Sequence, residues 1–273
     1  SPVACFGALS KEIIELEYIG LPWREGLTGG FKIVHTSYNF CTATGRLSNS
    51  FQGTNFAALS KSSGVRSNII SRFENGFLVE FDFDSSHVRL LSKLVGYDFG
   101  KENVHTTLGR IYFGKDDLTD EEYKSSKNLT FQMLYGENFE FSHKFFNFVE
   151  RCKQRLWQFF LANNFVATPI TKRLIRKEHF EDDVKVSKLL NYYLQAYESE
   201  YCMQVMGKLN SYLSNKETCP ILFTYDSFLI DFQPTDSIDT LRDLKHILEQ
   251  DGMKVHIKVG RNYHDMVDVT KKL

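Results

Sequence analysis

No stretch of eighteen consecutive apolar residues occurs in the 273-residue chain, so the sequence offers no transmembrane helix and no membrane partner is expected. Cysteine is sparse and unordered. Cys5, Cys41, Cys152, Cys202 and Cys219 are odd in number, and no pair has CxxC spacing. That pattern indicates neither a zinc site nor a disulfide framework, and it fits a reducing, intracellular setting. An excess of one charge is also missing. With 33 Lys and Arg against 34 Asp and Glu, the formal net charge is −1, so the whole chain carries no basic footprint. A nucleic-acid binder of this composition must gather its positive charge locally. Two runs do so, Lys153-Gln154-Arg155 and Lys172-Arg173-Leu174-Ile175-Arg176-Lys177, although each by itself reads first as a solvated face. The segment Ser1 to Phe6 has neither a basic n-region nor a long apolar core, so no secretory signal is read there. Internal repeats and low-complexity tracts are absent from the sequence.

What is present is enough for a large core, in one domain or two closely packed ones: 31.7 kDa, 42% hydrophobic and 25% charged. The most informative stretch is Phe77 to Asp84. Phe77, Val79, Phe81 and Phe83 alternate with Leu78, Glu80, Asp82 and Asp84. A period of two predicts a β-strand with an apolar face on the core and an acidic face turned away from it. Carboxylates along a strand need water, cations or a metal to take up their charge. Ser85-Ser86 and the apolar stripe from Val88 to Leu94 then predict a helix, which puts Asp82 near a strand-to-helix junction.

Other elements follow from local signals. Lys11 to Ile19 reads as a short amphipathic helix and Phe31 to Tyr38 as a strand. Val104 to Phe113 is helical, with His105 in a capping role at its start. Thr119 followed by Glu122 is a capping box that opens a helix ended by Gly136. Phe141 to Leu161 is a long aromatic helix, Phe165 to Leu174 a basic hairpin, and Val184 to Leu213 a further helix. Ile221 to Phe232 reads as a hairpin with Asp226 at its tip. Ser237 caps a helix reaching Gln250, and Val255 to Val259 is a last strand.

Two side-chain patterns allow a binding role. Lys127, Phe131 and Tyr135 lie four apart and form one helical face, with Lys124 and Tyr123 one turn earlier. Such a stripe serves packing, or it offers phosphates a cation and a base and sugar flat rings. Asn191 and Gln195 also share a face; two amides can bond a base edge or phosphate, or each other.

Two aspartates ending apolar strands, with a Lys–aromatic helix between them in sequence, resemble the A family of DNA polymerases, the bacterial DNA polymerase I type. The resemblance runs from about His35 to Asp265. Thr44-Gly45-Arg46-Leu47-Ser48 matches the family's TGRLS stretch, and Asp82 to Arg89 its motif A, Asp-x-Ser-x-x-Glu-Leu-Arg. The spacing to Arg89 selects Asp82 rather than Asp84. Lys127, Phe131, Tyr135 and Gly136 match motif B without a gap, and Tyr225-Asp226-Ser227 stands at motif C. His105-Thr106 and Asn191-x₃-Gln195 match two further short segments, and Val255 to Tyr263 resembles the family's C-terminal strand.

The resemblance implies an α+β fold, a polymerase palm of antiparallel sheet and helices with mostly helical fingers. It divides the chain into a thumb/palm remnant (1–34), palm (35–95 and 185–273) and fingers (96–184). The implied reaction is template-directed addition of dNTPs to a primer 3′-OH. Asp82 and Asp226 would hold two Mg²⁺ ions, with Mn²⁺ as a substitute, and Lys127 would join them in catalysis. His87, His105, Lys124, Lys127, Phe131 and Tyr135 would contact the nucleotide; Arg46, Asn191, Gln195 and Tyr225 would contact primer–template DNA. Four departures stand out. His87 replaces the motif A Glu that blocks a ribose 2′-OH, Tyr123 replaces the first Arg of motif B, and Ser227 and Tyr225 replace the Glu and His of motif C. Ser227 and His87 lean toward a single-subunit RNA polymerase, while TGRLS and Phe131 lean toward DNA; a non-catalytic fragment that binds DNA or a partner is a third reading. The fourth departure is that only about 40 residues precede Thr44, where the family has a thumb. A split or phage-encoded polymerase is therefore expected in a bacterial or phage-infected cytoplasm. A second polypeptide would supply the thumb, or an exonuclease as well, docking on a seam of Ile13, Ile14, Leu16, Trp23 and Phe31.

Overall fold

The computed structural model describes residues 38–39, 41–48, 55–60, 64–100, 102–136, 142–180 and 184–273. The expected N-terminal helix, the strand begun at Phe31 and the apolar seam from Ile13 to Phe31 lie outside the described residues. In chain order the described elements are β1 (Phe77–Phe83), α1 (Ser86–Val95), α2 (Val104–Phe113), α3 (Asp120–Tyr135), α4 (Lys144–Asn163), β2 (Phe165–Ala167), β3 (Leu174–Arg176), α5 (Val186–Leu213), β4 (Cys219–Thr224), β5 (Ser227–Phe232), α6 (Ile238–Leu248), β6 (Val255–Gly260) and β7 (Met266–Asp268). This is an α+β protein. Among the described residues, no helix is long and apolar enough to cross a membrane. The chain forms two units. One contains Leu47–Phe83 and Cys202–Leu273; the other contains Ala43–Arg46 and Asp84–Tyr201.

The first unit is built on a five-stranded antiparallel sheet in the order β4-β5-β1-β6-β7, so β1 is its central strand. The alternation of Phe77 to Phe83 does form a strand, but its second face is not turned to water. Leu78 is fully buried and packs with Phe56, Ile69, Ile221, Leu222, Leu229 and Tyr263. Val79 and Phe81 on the opposite face are also fully buried, and Phe83 meets Phe228 edge-on at 6.0 Å. Alternation reports which residues share a face; a strand in the middle of a covered sheet buries both. Truncating Leu78 to Ala would cost about 2–5 kcal/mol, the usual range for a buried leucine. The β4–β5 hairpin closes at Tyr225-Asp226, with Thr224 paired to Ser227. Helix α6 buries Thr240, Leu241, Leu244 and Leu248 at helical spacing, and Ser237 Oγ accepts the Asp239 amide at 3.3 Å, as a cap does.

The second unit is mostly helical. Val88, Leu91, Val104, Leu108, Met133, Leu134, Phe145, Val149, Leu190 and Leu194 share one core, so α1 to α5 all contribute to it. A second cluster joins Phe160, Val166, Ile175, Phe180, Leu189 and Tyr193, which seats the short β2–β3 hairpin on α4 and α5. The capping box is as expected: Thr119 Oγ1 accepts the Glu122 amide at 3.3 Å, and Glu122 Oε2 accepts the Thr119 amide at 2.9 Å. The cap of α2 is not His105. Asn103 Oδ1 accepts the Thr106 amide at 3.0 Å, and His105 is buried in the first turn.

Candidate functional site

In the first unit, pairing places Asp82 opposite Ser227 on β5 and opposite His256 on β6. Asp226 directly precedes Ser227, and its carbonyl accepts the Phe83 amide at 3.0 Å. The two aspartates are thus at neighbouring positions at one end of the sheet, each half-buried. Tyr225 holds the turn before Asp226 with φ +57°, a left-handed conformation uncommon for a side chain of this size and frequent where a site is held under strain. The Asp226 amide donates to Thr224 O at 2.7 Å, which tightens the turn further.

Two residues from Asp82 along the same face, Glu80 is buried and satisfied. Its carboxylate accepts from Tyr263 Oη at 3.0 Å, Lys258 Nζ at 3.3 Å and Ser227 Oγ at 3.5 Å. Burial pushes the Tyr263 phenol well above its ordinary value, and the Glu80 charge adds to that. Asp231, fully buried, accepts from Ser71 Oγ at 2.5 Å and pairs with Arg72 at 3.2 Å. Burial raises its carboxyl, against these donors.

Asp84 differs from its expected place on an acidic strand face. The strand stops at Phe83, and Asp84 sits in the corner before α1, buried and in the second unit. It accepts from Asn103 Nδ2 at 2.9 Å, Arg89 Nη2 at 3.2 Å and Ser85 Oγ at 3.1 Å. A buried carboxylate requires such donors.

Helix α3 buries Ser126, Thr130, Met133 and Leu134, which turns the Lys127–Phe131 stripe outward. Lys124 and Lys127 are exposed, and Phe131 is 48% exposed. Lys127 Nζ lies 4.8 Å from the centre of the Tyr123 ring. Phe131 stacks on Tyr135 at 6.3 Å and 19°. His105 joins this face from α2, 6.3 Å from the Phe131 ring and 6.4 Å from that of Tyr123. Its Nδ1 is buried with no hydrogen-bond partner. Burial lowers its pKa to about 4, Lys127 and Arg89 assist, and Asp84 opposes them, so the ring is neutral at pH 7.

Arg46, in the short segment that belongs to the second unit, donates to Glu198 Oε2 at 2.5 Å and lies 3.2 Å from His87 Nε2. Gly45 before it has φ +69°, and a Cβ there would come within 2.9 Å of the Arg173 guanidinium, so this turn requires glycine. His87 Nδ1 is 2.7 Å from the Tyr135 hydroxyl. Ser86 Oγ donates to Glu198 Oε1 at 2.5 Å. Burial pushes the Glu198 carboxyl up, but His87, Arg46 and Ser86 outweigh it and hold the pKa at about 2. Gln195 Nε2 donates to Asn191 Oδ1 at 3.1 Å, so the two amides bond each other through one of their donors and one acceptor.

Asp82, Tyr225 and Asp226 thus belong to the sheet unit; Arg46, His87, His105, Lys124, Lys127, Phe131, Tyr135, Asn191 and Gln195 belong to the helical one. Sequence reasoning passed over Glu80 and Glu198. A signal for Glu198 was available: Asn191, Gln195 and Glu198 follow one another at i, i+4 and i+7 on one polar face of α5.

No protein-family model matches this sequence, and no curated protein does. Among solved structures, the POL domain of Pol1 from M. smegmatis, in complex with DNA primer-template and dNTP, matches with TM-score 0.70 at 15% identity. The match covers 86% of this chain and 48% of that one, so the chain spans about half the length of the solved protein. The fold is that of a DNA polymerase I polymerase domain, an A-family polymerase fold.

Proposed function

We propose that this chain is a template-directed DNA polymerase that joins a dNTP to a primer 3′-OH and releases pyrophosphate. The observation that carries the reading is the β1–β5 register, which sets half-buried Asp82 and Asp226 at neighbouring positions on a rigid sheet end. The fold supports it, as does the DNA primer-template and dNTP held by the solved protein. Among the described residues, no group of three or more His, Cys, Asp and Glu gathers into a metal cage. A pair of hard carboxylates fits Mg²⁺, which takes one or two protein carboxylates and completes its shell with substrate phosphates and water. Asp82 and Asp226 would hold the ions. When bound, Mg²⁺ supplies the Lewis-acid chemistry that activates the 3′-OH and balances the triphosphate charge.

The sheet unit serves as the palm and the helical unit as the fingers. Lys127, with Lys124 one turn before it, neutralises the triphosphate. Phe131 stacks on the incoming base and sugar, Tyr135 and His87 border the sugar, and neutral His105 offers a hydrogen bond to a phosphate. Arg46, Asn191 and Gln195 read minor-groove acceptors common to all base pairs, which suits an enzyme that copies any template. Tyr225 contacts the primer end while its turn aims Asp226.

A primer-extension assay with Mg²⁺ and dNTPs or rNTPs tests this. The reading predicts template-directed extension with dNTPs. Extension with rNTPs in preference supports an RNA polymerase instead, and DNA binding without extension by either supports a non-catalytic fragment.

A further inference from the structure

Glu198 is a buried anion of the helical unit, and all its partners are, or adjoin, residues given a substrate role above. It is 2% exposed and both its oxygens are taken, Oε1 by Ser86 and Oε2 by Arg46. Oε1 also lies 3.4 Å from His87 Nε2. The other nitrogen of His87 meets Tyr135 Oη at 2.7 Å. Whichever nitrogen carries the proton, both have partners inside the protein, so the half-buried ring has none left for a ligand.

We propose that Glu198 is a positioning residue that locks the His87 ring, through Arg46 and Ser86, so that the His87–Tyr135 pair selects deoxyribose over ribose. The proposal rests on the polymerase reading. A 2′-OH pressed against a ring with no spare nitrogen loses water and gains no partner, whereas a deoxyribose has no hydroxyl to lose. The penalty for one such unsatisfied hydroxyl corresponds to about tenfold to a hundredfold in selection. Without Glu198 the Nε2 side of the ring loses its buried anchor. The ring, still faced by Tyr135 and Arg46 but no longer backed by the carboxylate, can turn to meet a 2′-OH.

The test is steady-state primer extension with dNTPs and rNTPs by the wild-type chain, Glu198→Ala, Glu198→Gln, His87→Glu, and the pair His87→Glu with Glu198→Ala. Glu198→Ala should cut the dNTP preference about tenfold, the worth of one hydrogen bond, chiefly through a lower KM for rNTPs at similar kcat. Glu198→Gln keeps the shape and an accepting oxygen, so its loss should be smaller. His87→Glu sets a second carboxylate against Glu198 and should impair extension with both nucleotides; adding Glu198→Ala removes the repulsion and should restore it. This rescue keeps the test decisive if Glu198→Ala alone does not fold. An unchanged dNTP preference in Glu198→Gln and Glu198→Ala, or no rescue by the paired variant, overturns the role of Glu198 while leaving a working polymerase. A wild-type chain that uses neither nucleotide overturns the polymerase reading itself and this inference with it.

Discussion

The two units treat charge in opposite ways. In the sheet unit the candidate acids, Asp82 on the central strand and Asp226 in the β4–β5 turn, are half-buried at one end of the sheet, while the acid beside them, Glu80, is buried and satisfied by Tyr263, Lys258 and Ser227. In the helical unit the carboxylates Asp84 and Glu198 are buried, and Lys124, Lys127 and Phe131 face outward. A buried carboxylate ringed by donors is a fixed anion that orders its neighbours. A half-buried one at the end of a sheet is within reach of a cation. On the proposed function, the sheet unit holds the metal and the helical unit the phosphate and rings.

Exchanging a single oxygen for an amide breaks this contrast most sharply. Asp82→Asn or Asp226→Asn should lower Mg²⁺-dependent extension about a thousandfold or more, the scale of losing a group that stabilises transition-state charge. The same variants should keep the wild-type melting temperature. Asp84→Asn should do the reverse. It strips the anion from buried Arg89 and should cost about 3–5 kcal/mol of stability in a denaturant titration, as broken buried ion pairs do. Loss of activity without loss of stability in Asp84→Asn would erase the distinction between the two kinds of acid.

The next effect is one of pH. His105 is neutral in the fold with a pKa of about 4, below the ordinary 6.5. Below pH 6.5 the unfolded chain takes up a proton that the folded chain refuses, so stability falls as pH drops toward 4, by up to about 3 kcal/mol. Melting curves of wild type and His105→Phe across that window should diverge, the variant being the flatter. Glu198 acts lower. Its depressed carboxyl contributes stability above its ordinary value of 4.5, and that contribution is lost as pH falls toward 2. Smallest is Lys127→Ala, which should raise the KM for dNTPs about tenfold and leave DNA affinity nearly unchanged, since one exposed cation facing a triphosphate is removed. Equal loss of both would make α3 a DNA-binding face.

Much of the frame was legible because its signals are local. The alternation from Phe77, the box at Thr119 and Glu122, the stop at Gly136 and the turn at Asp226 each lie within a few residues, and each became the element expected. The burial of Leu78 and Glu80 was not legible, because alternation cannot say whether another layer covers a face. Asp84 looked like a continuation of the strand, yet its donors come from Arg89 and Asn103 after the chain has turned through Ser85 at φ +54°. Glu198 was hidden by distance: Arg46 lies 152 residues away and Ser86 112. The stripe on α3 stayed ambiguous until the burial of Ser126, Thr130 and Met133 showed which side of the helix packs.

The central claim is that Asp82 and Asp226 together hold divalent cations. Replacing Mg²⁺ with Fe²⁺ and adding ascorbate and peroxide generates radicals that cut the backbone near the bound ion, so the fragments map the site directly. In the presence of primer–template and a dNTP, cuts should cluster around residues 80–84 and 224–228, disappear in Asp82→Asn and Asp226→Asn, and be suppressed by excess Mg²⁺. Cuts that fall elsewhere, or that persist unchanged in both variants, contradict the account.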